Sequence, residues 1–356
     1  MTAAPVRYRP ELEQLKPDEA ETIAQLNRTF DTILETTHED YGHAVRAVHA
    51  KAHGIVEGRL TIDFDLPAEL AQGLFATPGT HRVVMRFSTN PGDILDDAIS
   101  VPRGLAIKVH DVDGERLPDA EGRTQDFVLV NGKVFQAKDA ATFLGNLKLL
   151  ARTTDVAEGG KKALSALLRG ISGALGAIGV ESAALQSLGG APNVDPVGET
   201  YYSVVPFRYG DHVAKFSLAP VAPGLLARTG AIVETKGDRD AIRHVVRDDL
   251  RATEGEWEFR VQLARDEARQ PIEDPTVEWD EQEAPFVRVG VIRTHAQDSW
   301  DPVRVEEVNE HRRFSVWTGL AAHRPLGNIN RARRDTYRHS AGFREGANRC
   351  PIHEPG

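Results

Sequence analysis

Seven separate segments of the chain have the pattern of a β-strand. The clearest is GRLTIDFDL, in which Leu60, Ile62 and Phe64 would face one side of a strand and the polar residues between them the other side. The other strand-like runs lie at 82–89, 104–112, 126–131, 213–221, 257–264 and 286–293. Helical patterns do not separate each pair of runs, which disfavours a doubly wound parallel sheet. The sequence therefore predicts an antiparallel sheet or barrel.

Helical patterns surround these strands. In 18–36, apolar residues recur at helical spacing. Further helices are predicted at 139–152, 163–180, 237–250 and near 324–338. The 163–180 helix has a stripe of Leu and Ile with few charges, so we interpret it as packed on the barrel or on a partner subunit. A helix lying on a membrane surface is the alternative.

Composition excludes several classes of protein. The 356 residues include 43 basic and 53 acidic side chains, and a net charge of −10 argues against a nucleic-acid binder. The single cysteine, Cys350, permits neither an internal disulfide nor a cysteine-based zinc site. Residues 1–20 read as a polar arm without an apolar signal core, and no stretch is apolar enough for a membrane span. We expect a cytoplasmic location.

Two segments in the first third of the chain carry candidate functional residues. In VRAVHAKAHG, His49 and His53 stand four residues apart, so on a helix they could share a metal. The alternative is a pair of ordinary hydrogen-bonded or surface histidines. In VVMRFST, Arg86 and Ser88 alternate with apolar residues and would share one face of a strand, where burial would require hydrogen-bonding partners.

Two later segments add an amide and a phenol. Asn131-Gly132 follows a predicted strand and is also a tight-turn signal. Near the C-terminus, Arg333 and Tyr337 would lie one helical turn apart. Ionising a phenol below pH 7 requires about 4 kcal/mol of anion stabilisation, which a metal and a nearby arginine can supply together. The arginines clustered around this pair suggest a nucleic-acid patch as the competing interpretation.

The order of these segments resembles that of the catalase superfamily. VHAKAHG, RFST, PRGLAIKVHD, DFVLVNGKVF and the Arg333-x-x-x-Tyr337 pair follow one another as the corresponding catalase segments do. LAAHRPLGNINRAR makes the resemblance closest to the short catalase-related haem peroxidases. This implies an α+β fold: an antiparallel barrel of about eight strands with surrounding helices and haem buried between them. Residues 1–40 would be an arm and helix, 41–345 the haem domain and 346–356 a tail.

The resemblance also implies roles for individual residues. His49 would be the distal acid–base group, hydrogen-bonded to Ser88, and Tyr337 the axial ligand of the haem iron. Asn131 would be the distal amide, although an alignment without gaps places Val130 at that position. The residues expected to contact the haem (heme b, iron protoporphyrin IX) are Arg46, Val48, Arg86, Phe135, Phe143, Arg333 and Arg344.

The activity implied is an oxidoreductase that decomposes hydrogen peroxide to water and oxygen, with peroxidase activity, in the oxidative stress response. A peroxidase acting mainly on small organic hydroperoxides is one alternative, and a non-catalytic haem-binding protein is another. An enzyme that rearranges fatty-acid hydroperoxides is disfavoured by Val48, because that branch has threonine before its distal histidine. A homo-oligomer is a further expectation.

Overall fold

The computed structural model describes residues 3–151 and 191–355, so the helix predicted at 163–180 lies outside the described residues. The described strands are β1 (Ala52–Ile62), β2 (Thr80–Thr89), β3 (Arg103–Val109), β4 (Gln125–Val130), β5 (Tyr201–Tyr202), β6 (Phe207–Tyr209), β7 (His212–Pro220), β8 (Gly255–Leu263) and β9 (Phe286–Thr294). The described helices are α1 (Glu19–Tyr41), α2 (Ala140–Ala151), α3 (Pro223–Leu226), α4 (Ala241–Ala252), α5 (Pro302–Glu310) and α6 (Asn328–Asn348).

The strands form a closed antiparallel barrel. The order of hydrogen-bonded neighbours is β5-β4-β3-β2-β1-β9-β8-β7-β6. Strand β5 pairs with β4 through Tyr202 and Val130, and with β7 through Tyr201 and Leu218. These pairings close a ring of eight strands, and β6 extends from β7 as a hairpin. The predicted α+β barrel of about eight strands is therefore confirmed.

Side chains alternate along the strands between an apolar core and the outer face of the barrel. On β2, Met85 and Phe87 are fully buried in the main core. Arg86 and Ser88 lie on the opposite side of the strand, as the sequence pattern predicts. Aromatic rings from β4, β7 and β8 (Phe127, Phe216 and Phe259) contact one another in the core with centroids 4.8–5.9 Å apart.

Two elements differ from the sequence expectation. Strand β1 begins at Ala52 and ends at Ile62, so Phe64 is 77% exposed and does not share the buried face of Leu60 as predicted. The last described helix begins at Asn328, after Gly327 with a positive φ of 84°, and continues to Asn348. A sequence pattern predicts the presence of a helix or strand more reliably than the residues at which it begins and ends.

Buried ion pairs fix the start of α6. Arg331 bonds to the carboxylates of Glu13, Glu19 and Glu273, which arrive from the N-terminal arm, from α1 and from a loop. Negative charge at a helix N-terminus is favourable because the free backbone N–H groups there carry partial positive charge. The segment before β1 is tied to the other end of α6, where Ala47 N–H bonds Ser340 Oγ and Ala44 N–H bonds Asn348 Oδ1.

A search of the described residues for a helix both long and apolar enough to cross a membrane finds none.

Candidate active site

The candidate site is a cavity between the outer face of the barrel, the segment before β1, and α6. Its volume is about 710 Å³, including space open to solvent. Seven of the predicted site residues line it: Arg46, Val48, His49, Arg86, Ser88, Tyr337 and Arg344. Predicted residues from three separate parts of the chain therefore meet in one cavity.

His49 is held at the cavity by its backbone and its ring. It has a positive φ of 54°, uncommon for a residue with a side chain, and its N–H donates to Asn90 O at 2.8 Å. Nδ1 of the ring lies 3.1 Å from Ser88 Oγ. Below the ring lies Gly104, where a Cβ would overlap Cε1 and Nδ1 of His49. Glycine is therefore required at position 104 to seat the imidazole.

The ring of His49 is neutral at ordinary pH. Desolvation and, after it, the positive charges of Arg86, Arg333 and Arg46 together lower its pKa to about 3. Ser88 Oγ lies 3.4 Å from Gly104 O and can donate to it, so that hydroxyl is available to accept the Nδ1–H. In this tautomer Nε2 is the basic nitrogen.

Three arginines bring positive charge to the cavity without matching carboxylates. Arg86 donates to the carbonyls of His49 and Ala50, and Arg46 donates to Val308 O and Arg312 O. Arg344 makes only long contacts of 3.3 and 3.5 Å to backbone carbonyls. Within the described residues, none of the three has a carboxylate oxygen within 4 Å of a guanidinium nitrogen.

The lowered pKa values of these arginines reflect the same excess of positive charge over carboxylates. Desolvation and, after it, the charge of Arg344 together lower the pKa of Arg86 to about 9. Desolvation and the charge of Arg344 also lower the pKa of Arg46. Glu310 is the acid that opposes this shift, but its carboxylate bonds to His43 at 2.8 Å. The cluster is therefore suited to a ligand that carries carboxylates.

Tyr337 and Arg333 lie one turn apart on α6, as predicted. Tyr337 lines the cavity, whereas Arg333 is not among the lining residues. The Arg333 guanidinium lies 5.5 Å from the Phe135 ring centroid, and Phe135 in turn contacts Phe143 at 5.5 Å between centroids. Arg333, Phe135 and Phe143 therefore form a connected layer outside the lining, and the charge of Arg333 still reaches His49.

Asn131 lies outside the cavity lining. Its Oδ1 accepts from the backbone N–H of Arg103 at 2.8 Å, and its Nδ2 donates to Glu199 Oε2 at 3.1 Å. The cavity wall contributed by β4, which ends just before Asn131, is apolar, with Val128 and Leu129. Asn131 is thus engaged at both ends in a structural network.

The two histidines considered as a helical metal pair are separated by the fold. His49 lies in an irregular segment, whereas His53 is fully buried in β1 with Nε2 3.3 Å from Thr89 Oγ1. A search of the described residues for three or more His, Cys, Asp or Glu side chains that could hold a metal ion finds none. The metal ligand predicted from the sequence, the phenol of Tyr337, does line the cavity.

Sequence reasoning missed part of the lining. Ala106 and Val128 lie beside Arg86 in the strand register, so correct pairing of β2, β3 and β4 would have placed them at the cavity. Gly104 pairs with Ser88, so the same register would have placed this glycine next to the proposed partner of His49. Arg313 and Phe314 also line the cavity, but they come from an irregular segment with no periodic signal.

Comparison with known proteins bears on the fold. No protein-family model and no curated protein matches the chain. Solved structures match: a fungal catalase at a TM-score of 0.61 and 17% identity, and catalase A from Saccharomyces cerevisiae at 0.60 and 15%. A bacterial catalase matches at 0.58 and 16%. These alignments cover 88–90% of this chain.

The chain has a catalase-like fold. It spans 62–66% of the length of these three catalases. At 15–17% identity the likeness is one of architecture. The chemistry of the site has to be argued from its residues.

Proposed function

We propose that the chain is a haem-dependent oxidoreductase that decomposes peroxide in the cavity lined by His49 and Tyr337. The observation that carries the proposal is the meeting of three groups in one cavity of a catalase-like barrel. These groups are the neutral imidazole of His49, hydrogen-bonded to a serine hydroxyl, the phenol of Tyr337 on α6, and three arginines without carboxylate partners. In this proposal residues 41–345 form the haem domain.

The residues of the cavity fit the parts of a haem. Tyr337 would ligate the iron through its phenolate oxygen, and Arg46, Arg86 and Arg344 would pair with the two propionates. Val48 and Val128 supply apolar contact for the ring. When bound, haem supplies the redox chemistry by which the O–O bond of a peroxide is broken.

The chain itself moves the proton. Nε2 of His49 accepts a proton from the peroxide oxygen nearest the cofactor and returns it to the outer oxygen, which then leaves as water or an alcohol. Ser88 fixes the ring for both transfers through its contact with Nδ1. The low pKa of His49 keeps the ring free to accept that proton at neutral pH.

A second candidate is a peroxidase that acts mainly on organic hydroperoxides. It is favoured by the position of Asn131, whose amide is bonded to Arg103 and Glu199 and does not line the cavity. The apolar wall at Val128 and Leu129 would accept an alkyl group more readily than the second hydrogen peroxide that oxygen evolution requires.

The test compares oxygen evolution from hydrogen peroxide with dye oxidation by an organic hydroperoxide, using the haem-loaded protein. His49→Gln should retain haem, and both rates should fall by at least about a hundredfold, because that is the usual contribution of a general acid–base group. The control is His295→Gln, because that side chain is 98% exposed. Full activity of His49→Gln would overturn the proposal. Fast dye oxidation with little oxygen would select the second candidate.

A further inference from the structure

A second cavity lies beside the first, along the same outer face of the barrel. Arg82 and Val84 continue the row of Arg86 on β2, and Lys108 continues the row of Ala106 on β3. Helix α5 and the segment after it cover this cavity, whose volume is about 810 Å³ including space open to solvent. Phe314 lines both cavities, so one side chain forms part of the wall between them.

A buried histidine in this cavity has an unused hydrogen-bond donor. His110 is 5% exposed, and its Nδ1 lies 3.0 Å from Arg82 Nη2. Because a guanidinium can only donate, Nδ1 must be the acceptor. Burial, with the charge of Arg82 next, lowers the pKa of His110 to about 4, so the ring is neutral and its hydrogen is on Nε2. Nε2 is buried without a partner among the described residues.

Two guanidinium groups of the cavity share one distant carboxylate. Glu57 lies 4.0 Å from Arg82 and 3.9 Å from Arg304, which is at the limit of an ion pair. Arg304 also donates through Nη1 to Ile55 O and Asp298 O. The other charges of the lining are already paired or hydrogen-bonded. Arg312 pairs with Glu307 at 2.5 Å, Lys108 with Asp126 and Glu354, and Asp301 accepts the backbone N–H of Arg304 at the start of α5.

Apolar side chains complete the lining. Val84, Val308 and Phe314 lie beside the charged groups, and Val303 is exposed at α5. A ligand that fits such a lining has one oxyanion and an apolar body. The oxyanion can accept hydrogen bonds from guanidinium and imidazole N–H groups, which leaves no buried donor unpaired.

We propose that the second cavity binds a small organic carboxylate, with its oxygens on Arg82, Arg304 and His110 and its apolar body against Val84 and Phe314. The site is separate from the haem cavity. It does not depend on the proposed function.

The test measures, by calorimetry, binding of benzoate to the full chain as purified, with inorganic phosphate as a second probe. Saturable benzoate binding is expected, weakened about tenfold or more by Arg82→Gln, because a hydrogen bond to a charged group is lost. The matched control is Arg293→Gln. Arg293 is another half-exposed arginine on a barrel strand, paired with Glu256 outside both cavities, and its loss should leave binding unchanged. In the unmodified chain, benzoate binding should also shift the Nε2 signal of His110 in nitrogen NMR spectra of the histidine rings.

Absence of benzoate binding, or of any change at His110, would overturn the proposal. Equal affinity for phosphate would overturn the assignment of a carboxylate with an apolar body. Benzoate that occupied the haem cavity in place of haem would be insensitive to Arg82→Gln, because Arg82 lines the second cavity and is not among the residues lining the first. That result would count against this site without bearing on peroxide chemistry.

Discussion

At the scale of single residues, the site depends on how His49 is held. Its positive φ of 54° is a strained conformation for a residue with a side chain. The surrounding structure fixes it from two directions, because Asn90 O accepts its N–H and Arg86 donates to its carbonyl at 3.0 Å. The arginine proposed to meet a propionate therefore also fixes the backbone of the proposed proton-transfer residue.

Gly104→Ala tests the seat of the imidazole. The added methyl would overlap the His49 ring and force it away from Ser88, so we expect at least about a tenfold loss of peroxide cleavage with haem retained. Overpacking should also destabilise the fold by about 1–3 kcal/mol. Stopped-flow kinetics and urea unfolding measure the two effects.

Gly79→Ala is the control, since a Cβ there would meet nothing closer than His81 at 3.8 Å. If Gly104→Ala cleaved peroxide as fast as Gly79→Ala, the position of the His49 ring would not matter for the reaction, which contradicts the prediction.

The pKa of His49 predicts the pH dependence of peroxide cleavage. The pKa of about 3 is below the ordinary 6.5 of histidine, so nearly all of the imidazole is neutral above about pH 5. The rate should therefore be level through pH 6.5 and fall only as the pH approaches 3. The same shift makes the contribution of His49 to the free energy of unfolding complete above pH 6.5 and lost as the pH falls toward 3. An inflection of the single-turnover rate near pH 6.5 would contradict this assignment.

At the scale of elements, the sequence predicts the long strands well and the short elements poorly. The seven strand-like runs all correspond to strands, because alternation over six or more residues is a strong signal. Strands β5 and β6 have two and three residues, too few for any period. Helix α5 was missed although Asp301 and Pro302 mark its start, since its nine residues carry only a weak apolar stripe.

Helix α5 matters for the site because of its C-terminal end. The backbone carbonyls of Val308 and Asn309 accept from Arg46, and the Asn309 side chain accepts from Arg86. Carbonyls at a helix C-terminus carry partial negative charge and so hold cations. This end of α5 positions two of the three arginines without neutralising them.

Arg344→Gln tests whether the arginine cluster serves a ligand or the fold. Arg344 is 4% exposed and makes only long contacts to carbonyls, so its replacement should leave the stability of the haem-free protein nearly unchanged. Haem affinity should fall about tenfold or more, because a charge-assisted pair with a propionate is lost. Titration with haem and urea unfolding of the haem-free chain measure the two quantities.

Arg103→Gln is the matched control, with the opposite expectation. Arg103 is 1% exposed and bonds to Val101 O, Val194 O and Asn193 Oδ1 in the scaffold. Its loss should lower the unfolding free energy by about 1–3 kcal/mol and leave haem affinity unchanged. Equal haem affinity in Arg344→Gln and in the unmodified chain would show that the cluster does not hold the cofactor.

At the scale of the whole molecule, the barrel brings distant parts of the chain into one cavity. His49 precedes β1, Ser88 is the penultimate residue of β2 and Tyr337 lies on α6. Along the chain, 39 positions separate the first two and 249 separate the last two. The order of the motifs was sufficient to predict that these three would meet. Sequence did not reveal that Asn131 would be engaged outside the cavity, because its neighbours Arg103 and Glu199 come from other parts of the chain.

The central claim is that Tyr337 binds the iron of a haem in this cavity, and haem titration of the full chain tests it most directly. The unmodified protein should bind one haem with a Soret band and a ferric spectrum typical of phenolate ligation. Tyr337→Phe should lose that spectrum and bind haem at least about tenfold more weakly, since a metal–ligand bond is removed. Tyr202→Phe, a tyrosine of β5, should behave as the unmodified chain. An unchanged ferric spectrum in Tyr337→Phe, or no Soret band in the unmodified protein, would contradict the account.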